Sequence, residues 1–195
     1  MDLESHDPAL SSLAAQLAAS RRKGVPRHDG PPVKRYYEAA TIVHLAGEEQ
    51  EVRALAEAAQ AAQAAISWDY MDVHLRFLRL VYLGVLYPPA DEAAAALALA
   101  LELAASLPEG RRAACLATGR LFYMQDQEEP QHRNMAGALL QVLDVMAAAT
   151  TGQVLLNQTC RDLLAVRVVA EDLGPLENQA GAVVRAYRFQ RRVDK

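Results

Sequence analysis

The sequence predicts an α+β fold in which helices pack against a sheet that is mainly antiparallel. Segments rich in valine, leucine and aromatic residues alternate with alanine-rich segments whose apolar residues recur at the spacing of one helical face. The first six predicted elements follow the order β-α-β-β-α-β, which is typical of a ferredoxin-like sandwich. A helix, a strand, a short helix and a closing hairpin extend this unit.

The first predicted strand is Tyr36–Leu45, and both of its faces are largely apolar, as in a strand at the centre of a sheet. Gly47 ends it. The helix that follows, Glu48–Ile66, has an acidic first turn, which suits the positive end of a helix dipole. Its apolar residues fall on one face, namely Val52, Leu55, Ala59, Ala62 and Ile66.

The middle of the chain is predicted to form a hairpin, a helix and two more strands. Asp72–Tyr87 is too long for one ordinary strand, so we split it into a hairpin that turns near residues 79–81, although no Gly or Asn marks that point. Asp91–Leu107 is predicted to be a helix, because its length and alanine content favour one. Two short strands are predicted around Thr118-Gly119: Arg112–Leu116 and Arg120–Met124.

A polar loop, Gln125–Arg133, separates this unit from the extension. The extension is predicted to contain a helix, a strand, a short helix and two paired strands, which are Met135–Ala149, Val154–Asn157, Gln158–Leu164, Val166–Glu171 and Val183–Phe189. The apolar residues of its first helix lie three and four apart, so one face can pack against the sheet.

Composition excludes several functional classes. The formal net charge of −4 argues against a nucleic-acid binder whose affinity comes from bulk charge. The two cysteines form no Cys-x-x-Cys pair, so neither a zinc site nor a redox dithiol is indicated. The longest apolar run, Ala93–Leu101, is too short to cross a bilayer, so no membrane span is predicted. We expect a soluble, cytoplasmic protein.

Residues 1–35 differ from the rest, and we predict a tail there, followed by one domain at residues 36–192. Residues 8–20 place Leu10, Leu13 and Leu17 on one face of a potential short helix, and a basic stretch broken by Gly and Pro follows. Two interpretations stay open. The tail is either a solvated linker or a docking helix on a basic tether that binds a partner or an acidic surface.

Several short motifs occur in an order that points to a known family. Gly152–Thr159 resembles the pattern Gly-x-Ile/Val-Leu-Val-Ser-x-x-Thr, and Asp172–Gly174 with Val184–Phe189 resembles the Leu-Gly and Val-x-Val-Tyr-x-Leu ending. Ala93–Leu103 resembles an alanine-rich helix, and Leu116–Gly119 resembles an Ile-His-Thr-Gly strand end. Together these segments resemble the class III adenylate and guanylate cyclases. The resemblance covers residues 36–189 and implies the cyclase fold.

In active members of that family, two aspartates bind two divalent metal ions. The first lies in a Phe-x-Asp-x-x-Gly pattern, which resembles Ile42–Gly47 and places the metal position on His44. The second lies in the Gly-Asp turn of the central hairpin, which we expect near Leu80-Val81, so that Val81 matches it. Magnesium needs hard oxygen ligands. The resemblance therefore implies that the metal site is lost, and we predict neither a metal nor another cofactor.

The family also places an Asn and an Arg on the helix before the Gly-x-Ile-Leu strand, where they stabilise the transition state. The matching positions here are Leu140 and Asp144. A leucine cannot orient a ribose, and an aspartate would repel the triphosphate that an arginine clamps. The base-reading Lys has no match in Asn178–Ala180 either. Since the reaction needs positioned metals and clamps together, we predict that the chain is not an enzyme.

The predicted function is that of a catalytically inactive cyclase-like domain, a dimerisation or protein-interaction module in intracellular signalling or regulation. Its partner would be a second copy or another protein. Large aromatic residues are common interface anchors, and the candidates here are Phe77, Tyr82, Tyr87, Phe122 and Tyr123. One alternative is a sensor that binds a nucleotide or small molecule in the cleft without turnover. Another is a subunit of a heterodimeric cyclase whose partner carries the metals.

Overall fold

The computed structural model describes residues 33–62, 70–83, 89–125 and 133–193. The predicted tail helix within residues 8–20, the polar segment 126–132 and Tyr87 lie outside this range. The chain divides into two compact units. The larger comprises Tyr36–Phe122 and Ala136–Lys195, and the described part of the smaller consists of strand ends. The domain limits of 36–192 stay a prediction.

The first six described elements confirm the predicted order β-α-β-β-α-β. Strand β3 lies between β1 and β2 and is antiparallel to both, which leaves β1 and β2 parallel to each other. This split β-α-β arrangement is that of a ferredoxin-like sandwich. The elements are β1 Val33–Ala46, α1 Glu49–Ala62, β2 Tyr70–His74, β3 Phe77–Tyr82, α2 Pro89–Ala105 and β4 Ala114–Gln125.

The extension adds strands to the far side of β4. Strands run in the order β2-β3-β1-β4-β6-β8-β7 across an eight-stranded sheet, and β5 pairs with β4 off this path. The elements are β5 Arg133–Ala136, α3 Ala138–Ala149, β6 Val154–Asn157, α4 Gln158–Leu163, β7 Val168–Glu177 and β8 Val183–Arg192. Strands β7 and β8 are longer than predicted, and β5 was not predicted. None of the described helices is long and apolar enough to cross a membrane.

The predicted position of the central hairpin is wrong. The turn lies at Leu75-Arg76, where His74 pairs with Phe77, rather than near residues 79–81. No described non-glycine residue has a positive φ, so this turn does not need the Gly or Asn that usually marks a two-residue hairpin. Val81 is therefore not a turn residue. It lies within β3, pairs with Ile42 and is fully buried.

Strand β4 is also continuous where two strands were predicted. Gly119 stays in the strand, and a Cβ placed on it would lie 3.4 Å from the Leu139 side chain of α3. The Gly therefore accommodates the close approach of a helix. A Gly within a strand often marks such an approach rather than a break.

The main core lies on one face of the sheet. Buried residues of β1 and β3, such as Val43 and Leu80, pack there with apolar residues of α1, α2 and α4. Helix α3 lies on the opposite face, where its Asp144 meets Arg79 of β3. Side chains alternate between the faces of a strand, so Ile42 and His44 point to the α3 side.

Asn157 explains part of the motif at Gly152–Thr159. Its side-chain oxygen accepts hydrogen bonds from Thr118 N and Cys160 N, both at 3.0 Å, and its amide donates to Thr118 O at 2.9 Å. One buried amide thus caps α4 and joins β6 to the backbone of β4. This part of the motif is structural.

Strand β7 is the last strand of the described sheet order on its side. Its pairing with β8 shifts register between Val169 and Ala170 and again between Asp172 and Gly174. Gly174 has a φ of +76°, a left-handed conformation that favours Gly, and Pro175 has no N–H to donate. The strand is therefore irregular at several points between Val169 and Pro175.

Candidate functional site

The candidate site lies where β1 and β3 face α3. His44 of β1 is directly opposite Arg79 of β3, so the two side chains share a face of the sheet. Arg79 Nε donates to His44 Nδ1 at 3.1 Å, and Arg79 Nη2 donates to Asp144 Oδ1 at 2.9 Å. The guanidinium thus joins a strand residue and a helix residue that are far apart in the sequence.

An aromatic stack supports this arrangement. The ring of Phe77 lies 5.2 Å from that of His44 and 4.8 Å from that of His74, between centroids. The guanidinium carbon of Arg79 lies 4.4 Å from the centroid of the same Phe77 ring. A cation over an aromatic face is attracted by the ring quadrupole. The stack therefore holds both His44 and Arg79 in place.

His44 is electrically neutral in this environment. Burial lowers its pKa to about 4, and the neighbouring Arg79 cation contributes to the same shift. Because Nδ1 accepts the hydrogen bond from Arg79, the ring proton lies on Nε2. The imidazole has therefore committed its only lone pair to a guanidinium.

The turn of the β2–β3 hairpin adjoins the end of β1. Gly47 N donates to Arg76 O at 3.1 Å, which fixes the turn beside the last residues of that strand. Both turn side chains, Leu75 and Arg76, are exposed. Across the described ranges, no group of three or more His, Cys, Asp and Glu residues is placed to hold a metal ion.

Two of the four positions matched to family sites meet in this cluster. His44 and Asp144 share Arg79 as their partner, whereas Leu140 is half-buried one turn before Asp144 on α3. Val81 does not match a family site, because the hairpin turn to which it was matched lies at Leu75-Arg76. Arg79 itself was not predicted. Its signal was a lone charge in an otherwise apolar strand, Phe77–Tyr82.

The candidate interface aromatics differ in how accessible they are. Phe77 and Phe122 are half-buried, and each keeps some surface for a partner. Tyr82 is only 2% exposed and belongs to the core, so it is not on the surface of this chain. Tyr87 and the side chain of Tyr123 lie outside the part of the chain that the structure describes.

No family model and no curated protein sequence matches the chain. Several solved structures, however, are similar to the chain. The catalytic core of a rhodopsin-guanylyl cyclase with converted specificity, in complex with ATPalphaS, superposes with a TM-score of 0.64 at 13% identity, over 82% of this chain and 99% of that one. This chain has the fold of the class III nucleotidyl cyclase catalytic domains.

Two further cyclase structures show the same likeness. The adenylyl cyclase CyaB from P. aeruginosa gives a TM-score of 0.65 at 8% identity, over 82% of this chain and 96% of that one. The guanylate cyclase domain of RhGC from Catenaria anguillulae, in complex with GTP, gives 0.63 at 13% identity, over 82% and 100%. Identities this low establish the cyclase fold alone.

Proposed function

We propose that this protein is a cyclase-fold domain that does not cyclise nucleotides and that serves as a dimerisation or protein-interaction module in intracellular signalling or regulation. One observation carries the proposal. The guanidinium of Arg79 is held between His44 and Asp144, on the residues that match a metal ligand and a triphosphate clamp in the cyclase resemblance. An internal cation thus lies beside the position where a cyclase needs a metal ion.

The residues do not fit a magnesium ion. His44 offers nitrogen rather than oxygen, and its lone pair already accepts the Arg79 hydrogen bond. The hairpin turn lies at Leu75-Arg76, and these two residues correspond to the Gly-Asp turn of the family. The guanidinium of Arg76 therefore stands where the second aspartate is expected. Two carboxylates are replaced by an imidazole and a cation.

The clamp position is equally unsuited to a nucleotide. Asp144 is an anion engaged with Arg79, and a second anion brought to it would be repelled. Leu140, one turn earlier on α3, has no donor for a ribose hydroxyl. We therefore derive no catalytic step at this site.

A turnover assay tests the absence of catalysis. The purified chain, incubated with ATP or GTP and either Mg²⁺ or Mn²⁺, is expected to form no cyclic nucleotide above a protein-free blank, measured by mass spectrometry. The matched variant His44→Asp/Arg76→Asp restores two carboxylates. We expect it to bind Mn²⁺ in electron paramagnetic resonance titrations in which the natural chain binds none. Cyclic product from the natural chain would refute the proposal.

The interaction role rests on what the chain keeps. Its sheet and core follow the cyclase fold, and half-buried aromatic residues remain at Phe77 and Phe122. No contact among the described residues favours the sensor role over this one. Thermal-shift measurements with ATP, GTP and cyclic nucleotides would detect that alternative as a raised unfolding temperature.

A further inference from the structure

A groove of about 290 Å³ lies beside the first turns of α1 and the segment that follows α2, and none of its lining residues belongs to the candidate functional site. Leu55 and Leu107 are buried and form its apolar part, whereas Ala54 and Pro108 are exposed at its sides. Its volume is just below the range of pockets that take drug-sized ligands. The groove is therefore suited to a few small apolar side chains.

The walls of this groove are held in place. Arg111 bonds Glu48 and Glu51 through separate nitrogens, at 2.7 Å each, and so ties the segment after α2 to the first turn of α1. Glu51 also accepts a hydrogen bond from Glu48 N at 2.8 Å, as in a capping box. A site that is already ordered loses less entropy when it binds.

The rim of the groove is acidic. Three exposed carboxylates lie within one turn of the residues that line it, namely Glu57, Glu102 and Glu109. None of the three forms an ion pair with another residue of the described ranges. Of the cations nearby, Arg53 and Arg111 are already paired with carboxylates, so that Arg76 and Arg112 are left to offset the rim. The local balance is negative and favours a basic partner.

A surface of the opposite character lies where β8 ends. Val166 is 83% exposed and Val193 is 42% exposed, and Val193 N donates to Arg167 O at 2.8 Å, which brings the end of β8 beside the turn that carries Val166. Arg191 and Arg192 are exposed and form no ion pair within the described part of the chain. The next two residues of the sequence, an acid and a base, cancel in charge. We call Val166, Val193, Arg191 and Arg192 the basic apolar tip.

The tip and the groove lie at opposite ends of α2. Arg167, next to Val166, bonds Asp91 in the first turn of α2 and donates to Ala90 O at 3.3 Å, whereas the groove is lined by residues that follow the last turn. Helix α2 has 17 residues, so its ends are about 25 Å apart. Both surfaces belong to the larger compact unit. The tip therefore cannot enter the groove of its own molecule.

We propose that the basic apolar tip of one molecule docks into the acidic groove of a second copy of this chain. The two valine side chains match the groove in size and polarity, and the two arginines face its unpaired carboxylates. Complementary charge sets the orientation of such a contact and speeds the encounter. Few side chains take part on each side, so the contact is weak and salt weakens it further.

The contact joins unlike surfaces, so copies are added head to tail and close into a ring or extend in a row. The inference rests on the proposed interaction role and deepens it by naming one surface and its partner. It uses neither Phe77 nor Phe122, the aromatic residues proposed to anchor a dimer. The two contacts can therefore be tested independently.

Cross-linking between single-cysteine variants of the full chain tests the contact. Ala54→Cys places a thiol at the side of the groove, and Ala165→Cys places one beside Val166 while keeping both valines. A short bis-maleimide should join a mixture of these two variants about fivefold more than either variant alone, because docking raises the local concentration of the thiols. The natural Cys115 and Cys160 are buried and do not compete.

The matched control replaces Ala165→Cys by Ala180→Cys. Ala180 is another exposed alanine in a turn, at the opposite end of the β7–β8 hairpin, and its mixture with Ala54→Cys should give only the yield of the single variants. Adding Arg191→Glu/Arg192→Glu to Ala165→Cys should lower the specific yield about tenfold, because like charges then face each other. Adding Glu57→Arg/Glu109→Arg to Ala54→Cys should restore it. All of these positions are exposed, and circular dichroism checks the fold of each variant.

Each outcome decides the inference. A cross-linked dimer that forms in the mixture and follows the charge reversals supports the head-to-tail contact. Equal yields from Ala165→Cys and Ala180→Cys, or a yield that the charge reversals leave unchanged, would overturn it. In that event a dimer that Phe77→Ser still weakens would leave the interaction role standing. Cyclic nucleotide formation would remove the proposed absence of catalysis and would not alter the cross-linking result.

Discussion

Arg79 is a largely buried cation with three partners: His44, Asp144 and the ring of Phe77. Its side chain is 13% exposed, against 62% for Asp144. A guanidinium is buried without a large cost only when its charge and its N–H donors have partners. Here the imidazole and the carboxylate accept hydrogen bonds, and the aromatic face attracts the charge. Each partner therefore constrains the chemistry that the others can perform.

Acid should destabilise the fold through His44. Its pKa is about 4 in the folded chain, against 6.5 for a free imidazole, so the unfolded state takes up the proton first as the pH falls. The contribution is fully present above pH 6.5 and is lost between about 6.5 and 4. The expected loss is about 3 kcal/mol of unfolding free energy. Urea denaturation across that pH range is the measurement that checks it.

The control for this prediction is His44→Asn, which keeps an acceptor for Arg79 and removes the titration. The natural chain should lose about 3 kcal/mol more stability between pH 7 and pH 4 than the variant does. Glu171 and Asp172, whose pKa values are lowered by hydrogen bonds from Arg188 and Arg185, lose their contribution below their ordinary values in both proteins. Identical pH profiles would contradict the assignment.

Among the helices and strands, those with a clear pattern of apolar residues were predictable. Strand β6 has the predicted bounds Val154–Asn157, and α3 ends at the predicted Ala149. The hairpin was misplaced because Leu75-Arg76 carries no local turn signal, and the apolar residues on both sides read as one long run. Local pattern could not locate this turn, since the pairing of β3 with β1 fixes it.

The ion pair between Arg79 and Asp144 is expected to couple α3 to the sheet. A double-mutant cycle with Arg79→Met and Asp144→Asn should give a coupling of about 1 kcal/mol, reduced by the exposure of Asp144. Faster hydrogen exchange confined to α3 is expected in Arg79→Met. The exposed pair of Arg120 and Glu38, at 3.1 Å, is the matched control and should couple by about 0–0.5 kcal/mol. Equal coupling in both cycles would argue against a link between α3 and the sheet.

For the whole molecule, the fold was predictable and the site only partly so. The ordered C-terminal motifs were enough to indicate the cyclase fold, and Ile42–Gly47 located His44. Arg79 could not be found in that way, because its two bonds span 35 and 65 residues. Contacts of that range depend on strand register, which the misplaced turn had shifted.

We expect two copies of the chain to associate in solution. Sedimentation over a range of concentrations should show a dimer that Phe77→Ser or Phe122→Ser weakens about tenfold, or about 1.4 kcal/mol, because large aromatics anchor interfaces. Val183→Ser removes an exposed apolar side chain on β8 and is expected to leave association unchanged. Circular dichroism checks that each variant is folded. A strict monomer without any binding partner would count against the interaction role.

The irregular pairing of β7 limits how such an assembly can form. Regular backbone hydrogen bonding to a neighbouring strand is interrupted at Gly174, at Pro175 and at both register shifts. This border of the sheet is therefore a poor template for adding strand after strand from other copies. Concentrated protein should then be protected there from growing into fibrils, and contacts made through that border would depend on side chains.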